Sequence, residues 1–557
     1  MGSSKAVRQL RPGATVDKEP GEGLKARKRR VLKVLLIVPP CFVGRELDFE
    51  IGFPVHLALL GRVARLAGWA VDYLDMTLEE KEGHDSYAVL APKLHDRALA
   101  VVGISNHTVR TSVTTKAVAE RVKSMRPDVK VVVGGVNSTF MWRELLEWCP
   151  AVDYILRGYA QPGLRQLLRC IEDGTPVKAP GLATRAAGGF YTEHMAAVEP
   201  GDFAAPALDE LAVPRYLEWT RTYPLLTHTG CGFSCNFCTS VMPGPYQSLE
   251  VYRATDDVIA EMKQAIDAGF ERFFFSDNIF SSRRDRCLDL CGAMRDAAIP
   301  DRATWVCMTR VEFVDEELLH SMSASGCINV AFGVETASKR GWVNLKKGRY
   351  SEDTIQKAFR LTRAAGIGTT AYLMLGAPFQ TLEDIDCTVE LVRELDPDYR
   401  VVSFFQPFPG TPYWADTKKF GLSEIAPLEE WNFHEGPICR TALLSKPDLL
   451  DAAVRFYLDR AQREGVDVHR DSLILRSDIS VIGDGLPDPV RDVLGLCDGS
   501  ILIAEILRLC HLRHGSRGRL IALYWLSAAI ADAKVDVVSA YTRKEIREYA
   551  GIGPRSR

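Results

Sequence analysis

The amino-acid sequence predicts an α/β protein with two units of parallel strands: an N-terminal doubly wound sheet and a partial (β/α)6 barrel, followed by a mostly helical C-terminal part. Two observations predict this class. In the first third of the chain, strand-length aliphatic runs alternate with helical patterns. Farther along, six strand patterns each end in polar or glycine residues, as in barrels whose sites lie at the carboxyl rim. The predicted parts are a disordered tail at 1–30, the sheet domain at 31–170, a linker at 171–220, the barrel at 221–415 and a C-terminal helical or winged-helix-like domain at 416–557.

Composition narrows the function classes. The chain has 557 residues, of which 46% are hydrophobic and 25% charged, with a formal net charge of -3. These values are typical of a soluble globular protein of several domains, and they argue against a general nucleic-acid binder, which usually carries a basic stripe. The sequence shows no apolar run of membrane-spanning length and no apolar stretch behind its charged start. We therefore expect a cytoplasmic protein without nucleic-acid or membrane partners.

The sheet domain begins with Val31 to Val38, a nearly continuous aliphatic run closed by two prolines, as expected for a strand buried on both faces. Later elements are predicted as a helix at Val55 to Ala67, strands at Ala70 to Leu74 and Ala98 to Ser105, a helix at Thr114 to Met125, and strands at Val129 to Val133 and Tyr154 to Leu156. Ligands of doubly wound sheets bind beyond the carboxyl ends of the strands. The residues that fall there are Ser105, Thr108, Gly134, Gly135 and Gly158.

Residues 171–220 mix Pro, Gly and Asp in irregular order, which predicts a surface linker. The barrel strands are then predicted at Leu225 to Thr227, Glu271 to Phe275, Trp305 to Thr309, Asn329 to Phe332, Gly368 to Leu375 and Tyr399 to Gln406. The first of these strands leads into the loop that the rest of the barrel surrounds.

That loop contains Cys231, Cys235 and Cys238 in the sequence CGFSCNFC. A structural zinc site normally uses four ligands, often as two cysteine pairs. Three thiolates fit a [4Fe-4S] cluster whose fourth iron stays open for a small chelating ligand. Buried thiols, or a zinc site completed by a histidine such as His228, remain alternatives on cysteine spacing alone.

The spacing Cys-x-x-x-Cys-x-aromatic-Cys, with Phe237 in the aromatic position, resembles the radical S-adenosylmethionine (SAM) superfamily. The resemblance implies that the three cysteines hold the cluster, that SAM chelates the open iron and that its reductive cleavage yields a 5'-deoxyadenosyl radical. The segments FGVET, LKKG, AAGI, YLMLGAP and PFPGTP occur in the order and spacing of the cobalamin-dependent (class B) radical SAM enzymes. By this resemblance, the residues expected near SAM are Phe237, Ser276, Asp277, Asn278, Glu335 and Gly376.

The sheet domain is similar to the cobalamin-binding domain of that subgroup, with VVVGGVNST at the position of its Gly-Gly loop. The residues expected near cobalamin are Ser105, Thr108, Gly134, Gly135, Asn137 and Gly158. The sequence departs from the pattern in two places. The Asp-x-His-x-x-Gly ligand motif is absent, and the Gly-Glu-Gly-Glu turn is replaced by Gly158-Tyr159-Ala160-Gln161. His56 and His107 are more typical of ordinary polar residues than of cobalt ligands, and a flavodoxin-like module with another ligand is the alternative for this domain.

The C-terminal part is predicted to contain an amphipathic helix at Asp448 to Glu464 and a helix, glycine turn and second helix at Val490 to Leu509. The second segment resembles the small winged-helix peptide-recognition modules of some peptide-modifying enzymes. A helical cap over the barrel mouth is the alternative.

Together these motifs predict a cobalamin-dependent radical SAM methyltransferase that uses a [4Fe-4S] cluster, SAM and cobalamin to methylate an unactivated carbon. The substrate is expected to be a small molecule, a carrier-bound group or a peptide, and the electron donor a flavodoxin or ferredoxin. No catalytic side chain is predicted. Cyclisation, ring rearrangement or oxidation without methyl transfer is one alternative, and a binding module with a structural metal site is another.

Overall fold

The computed structural model describes residues 31–40 and 52–446, apart from 108, 110, 204–205, 207, 209–210, 240–249, 348–349 and 427–436, and then 448–449, 452 and three short strands. The predicted tail at 1–30, the predicted cobalamin contact Thr108 and most of the predicted C-terminal domain lie outside the described residues.

The N-terminal sheet has seven strands: β1 (Lys33–Val38), β2 (Ala70–Asp75), β3 (Leu99–Ser105), β4 (Lys130–Gly134), β5 (Tyr154–Leu156), β6 (Leu182–Ala186) and β7 (Gly189–Thr192). Their order is β2-β1-β3-β4-β5-β6-β7, and the first five are parallel. The strand order changes direction between β1 and β3, which is where doubly wound sheets bind ligands. The predicted fold class is confirmed for this part of the chain.

Helices cover both faces of this sheet. They are α1 (Val55–Leu66), α2 (Met76–Lys81), α3 (Ser86–Leu94), α4 (Thr111–Met125), α5 (Val136–Phe140), α6 (Trp142–Trp148) and α7 (Ala160–Glu172). Alternate residues of β1 enter different cores, because successive strand side chains point to opposite faces. Val34 and Leu36 pack with α1 and α7, whereas Leu35 and Ile37 pack with α3, α4 and α6. Residues 34–37 of β1 are therefore all apolar because both faces of the strand are buried.

The segment predicted as a surface linker, 171–220, contains structure. Its strands β6 and β7 form an antiparallel hairpin, and β6 pairs with β5 at the edge of the sheet. The turn between them includes Gly188 with φ +84°, a conformation that glycine adopts without steric cost. Helix α8 (Val213–Leu217) follows. Pro, Gly and Asp in this stretch thus mark turns between short elements.

The second sheet is the predicted partial barrel of six parallel strands, in the order β15-β14-β13-β12-β11-β8. These strands are β8 (Thr222–Leu225), β11 (Arg272–Phe275), β12 (Thr304–Thr309), β13 (Cys327–Glu335), β14 (Gly368–Leu375) and β15 (Tyr399–Phe404), and a separate antiparallel pair is formed by β9 (His228–Thr229) and β10 (Val251–Tyr252). The surrounding helices are α9 (Thr255–Asp267), α10 (Arg284–Asp296), α11 (Glu316–Ala324), α12 (Lys339–Asn344), α13 (Glu352–Ala364), α14 (Leu382–Leu395) and α15 (Pro412–Ala415). Buried aromatic side chains such as Phe273, Trp305 and Phe332 fill the core between strands and helices.

The carboxyl edge of the first sheet packs against the carboxyl rim of the barrel. An apolar cluster joins Val109 and Met141 of the sheet domain to Phe405 and Tyr413 of the barrel. The backbone N–H of Gly230, in the loop before the cysteines, donates to the Tyr159 hydroxyl at 3.3 Å. The ligand-binding edges of the two domains therefore face each other.

Farther along the chain, β16 (Ile474–Ser477), β17 (Asp498–Leu502) and β18 (Val535–Val537) form an antiparallel sheet in the order β17-β16-β18. Strand β17 lies where the sequence predicted a glycine turn and the start of a helix. Its Ser-Ile-Leu sequence suits either state, because short apolar runs do not distinguish a strand from a buried helix. No helix among the described residues has the length and hydropathy of a membrane span.

Candidate active site at the barrel rim

A cavity of about 360 Å³ lies at the carboxyl rim of the barrel, a size within the range of small-molecule sites. It is lined by Cys231, Phe233, Cys235, Phe237, Cys238, Asn278, Ile279, Met308, Thr309, Arg310, Ala331, Gly333, Glu335, Lys347, Tyr372, Leu373, Met374, Ser403, Phe404, Phe405, Gln406 and Phe408. All three predicted cluster ligands therefore lie in one cavity with residues from the ends of five strands.

The Asp277 carboxylate forms hydrogen bonds with the residues that precede the cysteine loop. This fully buried carboxylate accepts the backbone N–H groups of Thr227 and His228 at 2.7 and 3.0 Å and the Thr227 hydroxyl at 2.8 Å. Its neighbour Asn278 donates from its side chain to the carbonyl of Gly230 at 3.0 Å. The strand exit after β11 thereby fixes the path of the chain into the first cysteine.

The three cysteine sulfurs are spread more widely than the ligands of a single zinc ion. One zinc ion with Zn–S bonds of about 2.3 Å brings its thiolates within about 3.8 Å of one another. Among the described residues, the trio of potential metal-ligand atoms that all lie within 4.8 Å of one another is Glu79, Glu82 and His84, and the three cysteines do not form such a group. A [4Fe-4S] cluster places each thiolate on a different iron and so requires wider spacing.

The charges around the loop also suit a thiolate-ligated cluster. Burial raises the pKa of Cys231 to about 11 and raises the pKa of Cys235. Lys347 and Arg310 act in the opposite direction on Cys235, since each cation favours the thiolate. Two cations therefore lie beside Cys235, where they can compensate the negative charge that ligation creates.

Glu335 and Lys347 form a buried ion pair beside the cysteines. The Lys347 Nζ lies 3.1 Å from the Glu335 Oε1 and donates to the Gly333 carbonyl, also at 3.1 Å. Burial alone would lower the pKa of Lys347, but the Glu335 carboxylate raises it above its usual value. Glu335 has φ +65°, a conformation that is strained for a side chain of this size and is found preferentially at functional sites.

The structure separates the six residues predicted to contact SAM into two groups. Phe237, Asn278 and Glu335 line the cavity, whereas Ser276, Asp277 and Gly376 do not. The Asp277 carboxylate is occupied by the cysteine loop, as described above. The backbone N–H of Gly376 donates to the side-chain oxygen of Gln380 at 2.7 Å. None of these three residues is part of the cavity lining.

The described residues predicted to contact cobalamin lie together at the ends of β3, β4 and β5. Ser105 is 3.2 Å from the His56 Nε2, and the Asn137 side chain donates to the Ser112 hydroxyl at 2.6 Å. Gly135 has φ +118°, and a Cβ there would lie 2.4 Å from the Asn106 carbonyl oxygen. Contact with the neighbouring turn already requires glycine at position 135.

Two histidines lie at this edge of the sheet. His56 and His107 stack edge to face at the switch point, with ring centroids 4.5 Å apart. Burial among protein atoms lowers the pKa of both histidines. The pair lies between the start of α1 and the end of β3, at the carboxyl edge of the sheet.

Sequence reasoning missed several cavity residues, notably Arg310, Lys347, Tyr372 and Gln406. Arg310 follows directly on the predicted strand Trp305–Thr309, so a uniform rule that polar residues at strand exits belong to the site would have found it. Lys347 belongs to the LKKG segment, whose side chains were given no role. Gln406 is buried, and its Nε2 has no hydrogen-bond partner among the described residues.

Comparison with known families agrees with this geometry. Residues 49–168 match the B12 binding domain, and residues 225–392 match the Radical SAM superfamily. The chain belongs to the cobalamin-dependent radical SAM enzymes. The predicted family and its cofactor set of [4Fe-4S] cluster, SAM and cobalamin are confirmed.

Relatives within this family have different reactions. The chain is 26% identical over 395 residues to an uncharacterised methyltransferase of Pyrococcus horikoshii, covering 69% of this chain and 83% of the relative. It is 25% identical over 429 residues to the anaerobic magnesium-protoporphyrin IX monomethyl ester cyclase of Cereibacter sphaeroides, covering 73% and 67%.

Two solved structures share the fold. The radical SAM methyltransferase TsrM from Kitasatospora setae, with cobalamin and a [4Fe-4S] cluster bound, superimposes with a TM-score of 0.61 at 21% identity, covering 75% of this chain and 84% of TsrM. The cobalamin-dependent radical SAM enzyme OxsB gives a TM-score of 0.62 at 14% identity, covering 94% and 84%.

Proposed function

We propose that this enzyme transfers a methyl group from SAM, by way of cobalamin, to an unactivated carbon of a small molecule or peptide. The observation that carries the proposal is the contact between two edges. The cysteine-lined cavity lies at the barrel rim that packs against the carboxyl edge of the B12-binding sheet, and Tyr159 of the sheet domain contacts Gly230 of the cysteine loop. A substrate carbon between the two edges would be within reach of both cofactors.

The cavity residues would have separate roles. Cys231, Cys235 and Cys238 would hold the cluster, and Glu335 and Asn278, which line the same cavity, would bind the polar groups of SAM. When bound, the cluster supplies the electron that cleaves SAM, and cobalamin supplies the methyl group. The chain itself positions these groups and excludes water.

The far side of the cavity suggests the chemical character of the substrate. Strands β14 and β15 and the loop after β15 contribute Tyr372, Phe404, Phe405 and Phe408, with Gln406 as a buried polar group. The charged cavity residues Glu335, Lys347 and Arg310 are paired with one another or with neighbours near the cysteines. An uncharged aromatic or apolar group with one hydrogen-bonding function would match this side.

We place the reaction in the cytoplasm, with a flavodoxin or ferredoxin as electron donor, because reducing the cluster requires a low-potential donor in a reducing compartment. None of the described cysteines forms a disulfide.

The decisive experiment needs no substrate. The anaerobically reconstituted enzyme, loaded with cobalamin and supplied with SAM and reductant, should form about one S-adenosylhomocysteine per cobalamin, together with 5'-deoxyadenosine. The variant Cys235→Ala should lose 5'-deoxyadenosine. A wild-type enzyme that forms 5'-deoxyadenosine without S-adenosylhomocysteine would refute methyl transfer.

That last result would favour the second candidate, cyclisation or oxidation without methyl transfer, which the similarity to the Cereibacter sphaeroides cyclase supports. An iron count and an absorption spectrum on the same sample test the remaining alternative. A colourless zinc protein would favour the structural binding module.

A further inference from the structure

Arg310 directs one N–H group at a cluster ligand. Its Nη1 lies 3.8 Å from the Sγ of Cys235, within hydrogen-bonding range for sulfur. The arginine follows β12 directly, and its side chain is buried at the cavity wall. Such an arginine has three possible uses here: to fold the loop, to bind the carboxylate of SAM, or to act on the cluster through the sulfur.

The guanidinium is held in one orientation from several sides. Its face lies 4.1 Å from the ring centroid of Phe233, inside the cysteine loop, and 4.9 Å from that of Tyr350. Its Nε donates to Glu312 at 3.0 Å, and its Nη2 donates to the Lys347 carbonyl. These contacts leave Nη1 as the edge that points to Cys235.

The charge balance supports an effect on the sulfur. The pairing with Glu312 uses Nε and Nη2, so the N–H on Nη1 is not shared with that carboxylate. Glu312 also lies on the far edge of the guanidinium from the cysteine, since its contacts involve the opposite nitrogens. A fixed N–H donor next to a thiolate stabilises the more negative state of an iron–sulfur cluster, because hydrogen bonds to sulfur help to set the reduction potential.

We propose that Arg310 is a positioning residue that hydrogen-bonds the Cys235 thiolate of the bound cluster and raises the cluster's reduction potential. This inference rests on the three cysteines holding the cluster, which an iron count checks separately. It does not depend on which reaction the radical performs.

The test is a redox titration of the reconstituted cluster, followed by electron paramagnetic resonance and carried out without SAM. Arg310→Gln should make the cluster about tenfold harder to reduce, a shift of about 59 mV to more negative potential for a one-electron couple. Arg310→Lys keeps the charge but not the fork geometry, and it should shift the potential less. The matched control is Arg340→Gln, which removes a half-exposed arginine paired with Asp384 away from the cavity.

Two outcomes would overturn the proposal. One is an Arg310→Gln potential equal to those of the wild type and of Arg340→Gln. The other is an unchanged potential together with weaker SAM binding, which would assign Arg310 to the SAM carboxylate.

A second measurement keeps the test valid if Arg310→Gln fails to hold iron. Wild-type enzyme with 15N-guanidino arginine should show a 15N coupling in the pulsed spectrum of its reduced cluster, and Arg310→Lys should lack this coupling. No coupling in the wild type would refute the hydrogen bond.

Discussion

Asp277 offers a direct test of how the cysteine loop is held, because its carboxylate accepts three hydrogen bonds inside the protein. Replacing it with alanine leaves the N–H groups of Thr227 and His228 buried without an acceptor. An unsatisfied buried donor costs about 1–3 kcal/mol, so two cost about 4 kcal/mol. Asparagine can keep all three contacts if the Thr227 hydroxyl turns to accept, but it loses the charge. Its cost should be about 2 kcal/mol.

Hydrogen exchange of peptides covering residues 225–238, followed by mass spectrometry, measures this loss of local stability. Since 1.4 kcal/mol is a factor of ten, Asp277→Ala should speed exchange of the Thr227 and His228 amides by about 1,000-fold, up to the limit set by global unfolding. Asp277→Asn should speed it by about 30-fold.

The control is Ser276→Ala, because the neighbouring hydroxyl makes only a 3.5 Å contact with the Phe274 carbonyl. Its exchange should match the wild type. Equal exchange in Asp277→Ala and Ser276→Ala, together with weaker SAM binding in the aspartate variant, would refute the structural role and restore Asp277 as a SAM contact.

Two further predictions concern buried titratable side chains. Lys347→Met leaves the Glu335 carboxylate without its partner and should destabilise the apoprotein by about 3 kcal/mol, measured by thermal unfolding. The double variant Lys347→Met with Glu335→Gln should recover most of this stability. A double variant as unstable as the single one would show that packing, and not charge, is lost. Burial lowers the pKa of His56 in the folded state, so the unfolded state binds the proton more tightly, and stability should fall as pH drops below about 6.5. As the pH falls from 8 to 6, the wild type should lose about 0.8 kcal/mol of unfolding free energy more than His56→Asn does. Equal dependence of unfolding free energy on pH in the two proteins would contradict this prediction.

The pattern of the strands made both domains predictable. Residues 34–37 of β1 are buried on both faces. Four of the six barrel strands, β11, β12, β13 and β14, end in or lead directly into a polar or glycine residue at the rim. The hairpin at 182–192 was not predictable in the same way, because its burial depends on the edge of β5, which is distant in sequence. Only its Gly188-Gly189 turn was visible locally.

The sequence predicted that the cavity lies at the ends of the barrel strands, but it did not predict which side chains point into it. Asp277 and Asn278 are adjacent, yet only Asn278 lines the cavity, because the Asp277 carboxylate is bonded to the backbone N–H groups of Thr227 and His228. Arg310 and Lys347 reach the cysteines from separate loops. Their convergence is a tertiary fact that no local pattern contains.

The turn that departs from the family pattern, Gly158-Tyr159-Ala160-Gln161, lies at the contact between the domains. The Tyr159 hydroxyl accepts the N–H of Gly230, one residue before Cys231, so the sheet domain touches the cysteine loop directly. Asn278 holds the carbonyl of the same glycine from the barrel side. Gly230 is therefore bonded on both sides, once by each domain. The tyrosine that stands in place of the usual glutamate thus exchanges a charged group at the sheet edge for a direct hydrogen bond to the cysteine loop.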